Sequence, residues 1–159
     1  MNLDLIEWSA IFRNLIYIGA AYLLALPVAW NRERESRGAG LRTFPLVAIA
    51  SCAFVLIAQR AFPESADAQA RIVQGLITGI GFIGGGAILK HNEDVRGVAT
   101  ATSIWATGAI GVAAAFSRYE IAIIISLVTF LTLRFMSPIK EKIKDEKDKG
   151  DSDDNSLKS

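Results

Sequence analysis

Glu93 and Asp94 stand side by side in a polar stretch that also holds Lys90, His91, Asn92 and Arg96. Magnesium is often bound by one or two carboxylates with its waters retained, so this pair is the candidate metal site. A solvated loop is the plainer reading, and Asp94 could also cap the helix that follows. His91 is the sole histidine and Cys52 the sole cysteine. Neither has a companion at a spacing that would make a nucleophile–base pair or a thiolate metal site. No enzyme, no cofactor and no nucleic-acid partner are expected.

A second polar stretch holds Asn31, Arg32, Glu33, Arg34, Glu35, Arg37 and Arg42. Arg42 runs directly into Thr43 and an apolar run, as Arg96 runs into Gly97. Either arginine could meet helix carbonyls, an anion or a lipid headgroup. Basic residues at such a place also set the orientation of a membrane chain without forming any site.

Gly79-Ile80-Gly81-Phe82-Ile83-Gly84 fits the G-x-G-x-x-G pattern of nucleotide-binding folds. That pattern needs a strand before it, a helix opening at the glycines and an acidic residue about 20 positions on. Here the glycines lie inside an uncharged run of membrane length, so the match is read as accidental. Gly75, Gly79, Gly81, Gly84, Gly85 and Gly86 need another reason. Gly75/Gly79 and Gly81/Gly85 have the small-xxx-small spacing that lets membrane helices approach closely. The other reading is a bent or broken helix lining a polar pathway. Thr100, Thr102, Ser103 and Thr107 add hydroxyls that can bond one turn back or reach a neighbouring helix.

The elements that must position these groups follow from where charge is missing. Of 159 residues, 52% are hydrophobic and 21% charged, with net charge +1. The charges are excluded from 14–31, 43–59, 72–89, 97–117 and 121–133. A hydrocarbon core about 30 Å thick needs roughly 20 helical residues, with about 17 as the lower limit. The first four runs meet it. The fifth becomes long enough if Tyr119 and Glu120 enter at one end and Arg134 to Met136 leave at the other. A soluble domain this small could not bury so many all-apolar helices. The expected fold is all-α and polytopic, with about five transmembrane helices.

Lys and Arg near the span ends give the orientation. With the amino terminus outside, the cytoplasmic segments hold 13 of the 17 basic residues. The membrane domain is read as 1–137. The charged tail, 138–159, is expected to be disordered and cytoplasmic. No acid or base lies well inside a span, which weakens the case for a proton relay or a charged-substrate path.

Three stretches together resemble the MgtC/SapB family of bacterial inner-membrane proteins. They are Ala39-Gly40-Leu41-Arg42-Thr43, then Arg71-Ile72 running into Gly79 to Ile88, and Val95-Arg96-Gly97 continuing through Thr100, Ala101, Ser103 and Trp105. The resemblance implies a membrane domain of about five helices in the inner membrane and a link to magnesium. Many members have Gly-x-Glu-Arg at the end of the first span. This chain has Ala29-Trp30-Asn31-Arg32, and Ala99 stands where Thr or another polar residue is common. With its short tail the chain resembles the short, SapB-like form, which lacks the soluble carboxy-terminal domain. The expected function is a regulatory or accessory factor acting through helix contacts with itself, as a homo-oligomer, or with a partner membrane complex. The alternative is a magnesium transporter or channel subunit.

Overall fold

The computed structural model describes residues 7–35, 39–91 and 94–136. Helix α1 (Trp8–Glu35) has 28 residues. At about 1.5 Å per residue that is roughly 42 Å, longer than a hydrocarbon core of about 30 Å, so polar residues can project at both ends. Pro27 sits inside α1 without ending it. Helix α2 (Thr43–Ala61) carries Pro45 in its first turn, where the missing N–H has no intrahelical partner to lose. Helix α3 (Ala66–Gly86) opens on Ser65, whose Oγ accepts from the Ala68 N–H at 3.3 Å.

After α3 the chain turns through a short antiparallel hairpin, β1 (Leu89–His91) and β2 (Asp94–Arg96), with Lys90 opposite Val95. Helix α4 (Val98–Ala115) follows. A 6→1 bond from the Arg118 N–H to the Ala113 carbonyl, with Ser117 at φ 59°, closes α4. This is the Schellman ending usually given to glycine. Helix α5 (Tyr119–Met136) completes the bundle.

The protein is an all-α polytopic membrane protein, with five helices among the described residues. Four of them, α1, α2, α4 and α5, are long and apolar enough to cross a bilayer among the described residues. Their outer surfaces are large and apolar, with Phe12, Leu15, Leu46, Phe54, Ile124 and Leu127 all exposed, as contact with lipid requires. The span read at 121–133 is lengthened at both ends by the residues expected to do so. The span read at 72–89 is corrected: its helix begins earlier, at Ala66, and stops at Gly86, and Leu89 is already in β1. Gly97 likewise precedes α4 and does not belong to it, and it is the residue before the helix where Asp94 was expected as a cap.

Helix α4 is the centre. Eleven of its side chains or glycines are buried, from Thr100 to Ala115, and most of them are small. Ala48 and Cys52 of α2 and Ala21 and Ala25 of α1 pack with Ala114 and Ala115 in one cluster. Val28, Phe44, Ile80, Ile104 and Leu133 form a second cluster. Helix α5 is tied to α1 by the Ser126 hydroxyl, which donates to the Leu24 carbonyl at 2.6 Å. Small residues rather than large apolar ones hold the centre because lipid already solvates apolar side chains, leaving close packing and interhelical hydrogen bonds to drive association.

Candidate functional site

The end of the bundle that gathers the α1 C-terminus, the α2 N-terminus and the hairpin holds the polar residues singled out above. Asn31 and Arg32 are 6% and 7% exposed, buried on the inner side of α1. Arg32 donates through Nη1 to Glu35 Oε2 at 3.1 Å and through Nη2 to Thr100 Oγ1 of α4 at 3.3 Å. Asn31 Nδ2 donates to the other Glu35 oxygen at 3.3 Å. Arg32 Nε and Asn31 Oδ1 are buried without a partner. The result is a buried cation bridging α1 and α4, with one donor and one acceptor still open. Such a centre can fix the register of two helices or take a small polar group.

Glu35 stands in the polar stretch read from the sequence, where it carries no assigned role. The signal was available, since it lies three residues after Arg32 and four after Asn31, the spacings at which helix side chains meet. It supplies the carboxylate that Asn31 does not. Glu33, in the same stretch, likewise gains a role: its Oε2 accepts from the Leu41 N–H at 2.8 Å and ties the α1–α2 turn. Gly40 leaves the space that this carboxylate occupies.

Replacing Glu35 with Leu should destabilise the folded protein by about 2 kcal/mol. The expected loss falls below the roughly 3–5 kcal/mol of a fully buried pair, because the Glu35 side chain keeps 30% of its surface. An Arg32→Met, Glu35→Leu double variant should recover most of that loss, since a buried pair exchanged for apolar groups is often neutral. Denaturant titration in detergent measures both; a double variant as unstable as the single one would contradict the pairing.

The other rim residues separate. Arg42, at the start of α2, is exposed and makes no hydrogen bond or ion pair with any described residue. Thr43 beside it is half-buried. Arg96 is exposed on β2, and Gly97 takes φ 88° between β2 and α4. Glu93 lies outside the described residues. Asp94 is placed in β2, opposite His91, while the side chains of both lie outside what is described. Among the described residues no group of three or more His, Cys, Asp or Glu could hold a metal ion.

On α4 the hydroxyls mostly bond their own helix. Ser103 donates to the Ala99 carbonyl at 2.6 Å and Thr107 to the Ser103 carbonyl at 2.8 Å. Thr100 is the exception, as the acceptor for Arg32.

Helix α3 is unbroken through its glycines. Only Gly84 faces a neighbour, with the Ala101 carbonyl oxygen 3.2 Å from where its Cβ would be. Gly75, Gly79, Gly81, Gly85 and Gly86 would meet nothing within 4 Å. Within one chain, then, the small-residue spacing mostly serves no contact. Gly75 and Gly79 border a cleft of about 710 Å³ between α2 and α3 that ends at Arg42 and Thr43. At about 100° per residue, Gly81 and Gly85 lie roughly a third of a turn away. They share their face with Gln74 and Thr78, all exposed.

Comparison with known proteins agrees with this architecture. The model of the MgtC family matches residues 18–142. The chain is similar to YhiD of Escherichia coli K12, 35% identical over 112 residues, covering 67% of this chain and 52% of that protein. The YhiD name gives it, provisionally, as a magnesium transporter. It is similar to SrpB of Synechococcus elongatus, 36% identical over 140 residues, covering 80% and 75%. It is also similar to MgtC of Salmonella typhimurium, 32% identical over 122 residues, covering 77% and 52%. The chain therefore spans about half the length of the YhiD and MgtC proteins it matches. No solved structure matches it.

Proposed function

The chain belongs to the MgtC family, and from that premise we propose that it is a non-enzymatic regulatory or accessory membrane protein, acting through helix–helix contacts with a second copy or a partner membrane complex in magnesium homeostasis. The observation that carries this reading is the outward face of α3. Gln74, Thr78, Gly81 and Gly85 are exposed there, in a bundle whose other outer faces carry large apolar side chains. α3 is also the helix that falls outside the set apolar enough to span alone. Bare glycine backbone and an amide against hydrocarbon lack good contacts, whereas a facing helix can approach them closely and bond them. Phe82, the residue after Gly81, is 85% exposed.

The setting proposed is the bacterial inner membrane, with the amino terminus outside. The buried Arg32 end would then face the cytoplasm, in keeping with its share of basic residues. Gly81→Leu should disrupt assembly by tenfold or more in crosslinking from mild detergent, because a leucine side chain would separate the facing backbones. Unchanged assembly would reject this face as the contact.

Magnesium transport is the competing reading, favoured by the name of the Escherichia coli relative. Its support within the chain is the Arg32 centre, yet a buried cation repels a divalent one at close range. Magnesium flux into proteoliposomes separates the two: flux above that of empty vesicles, from protein shown to be folded, would establish transport.

A further inference from the structure

We propose that the cleft between α2 and α3 is a binding site for one anionic phospholipid, with an acyl chain lying between the helices and the phosphate on Arg42. The cleft, about 710 Å³, is lined by apolar side chains such as Leu46, Phe54 and Ile72, with Gly75 and Gly79 where side chains would otherwise close it. Neither glycine would bring a Cβ within 4 Å of any atom. Along α2 it runs from Arg42 to Phe54, about 18 Å at 1.5 Å per residue. Half of a hydrocarbon core about 30 Å thick is about 15 Å. The cleft therefore has the length of one leaflet.

Its chemistry changes sharply along that length. Among the described residues, the only charged one lining it is Arg42, at the end level with the polar rim. Arg42 has no partner among the described residues. Glu33, whose carboxylate reaches into the same turn, is engaged by the Leu41 N–H. A guanidinium above an apolar slot one leaflet long matches a phosphate above an acyl chain. A helix of the same length and about 10 Å across would need roughly twice the space. One acyl chain can lie in that space where a whole helix cannot. The site is separate from the Gly81/Gly85 face, so either proposal can fail alone.

The test uses the full chain in mild detergent, titrated with phosphatidylglycerol or phosphatidylcholine and read by native mass spectrometry. The wild type should hold one phosphatidylglycerol per chain in preference to phosphatidylcholine. Arg42→Gln should weaken phosphatidylglycerol about fivefold, the factor carried by one arginine near an anionic headgroup, and phosphatidylcholine less, because its ammonium already offsets the phosphate charge. Gly79→Leu should remove both, while Gly19→Leu, the same change on α1 where an added Cβ also meets nothing within 4 Å, should bind as the wild type does. Equal binding of the two lipids by the wild type, an Arg42→Gln protein with unaltered preference, or full lipid retention by Gly79→Leu would each overturn the proposal. So would a cleft occupied by a second chain, seen as dimer loss in Gly79→Leu without any lipid effect.

Discussion

A Gly97→Ala protein is expected to lose about 3–4 kcal/mol of stability and with it most of its folded yield in membranes. Two costs combine at this residue. Its φ of 88° is a left-handed conformation, which an L-residue adopts at a cost of roughly 1–2 kcal/mol. A Cβ there would also overlap the Ala87 carbonyl oxygen and crowd Ile88, and such overpacking costs about 1–3 kcal/mol. The Ala87 oxygen belongs to main chain, so no rotamer change relieves it. The hairpin would have to move away from the start of α4, taking with it the turn that directs α4 back through the bundle. Val98→Ala, at an exposed neighbour, should change stability by less than about 0.5 kcal/mol. Unfolding in detergent, followed by intrinsic tryptophan fluorescence, compares the two, and a Gly97→Ala protein as stable as Val98→Ala would contradict the structure of this junction.

Gly111→Leu should be as damaging, at about 3 kcal/mol or more, and for a different reason. At Gly111 the α4 backbone lies against α2: a Cβ there would overlap the Ala48 carbonyl oxygen and lie 2.9 Å from Ser51 Cβ. Backbone faces backbone, so the two central helices must separate, and the apolar cluster around Ala48, Cys52 and Ala114 opens with them. Overpacking of a tight core costs about 1–3 kcal/mol even where it can relax, and here relaxation means moving a whole helix. Gly108→Ala is the informative control. Its added Cβ would meet the Cδ1 end of Ile80, and that end can turn aside. The pair should differ widely in thermal unfolding, and equal losses would show that the close contact is not at Gly111.

These two glycines also show where reasoning from residue types reached and where it stopped. The extension of α5 by Tyr119, Glu120 and Arg134 to Met136 follows from bilayer thickness alone, because a fixed length demanded residues that charge would have excluded. The hairpin did not follow. Its strands are three residues each, too short for alternation to register, and Leu89 looks like the end of an apolar run. The six glycines of α3 drew attention by their density, yet Gly84 alone packs within the chain. Gly108 and Gly111, which govern the centre of the bundle, lie in an ordinary-looking alanine-rich helix. Spacing identifies a helix face without saying which face meets a neighbour. The polar rim divided in the same way. Arg32 and Arg42 are both arginines at span boundaries, and only tertiary packing makes Arg32 a buried bridge to Thr100 and leaves Arg42 exposed at a cleft. Asn31 stood out as a missing acid, and one helical turn later Glu35 occupies that place in the charge pattern.

The proposed mode of action requires a helix covering the outer face of α3 in the living membrane. A photoreactive residue at Gln74, compared with one at Ile124 on the apolar exterior of α5, tests this without extraction. Illumination of intact cells should attach a protein, whether a second copy or another chain, at position 74 and only lipid at position 124. Lipid adducts alone at both positions would mean that α3 faces the bilayer, and the proposed mode of action would be wrong.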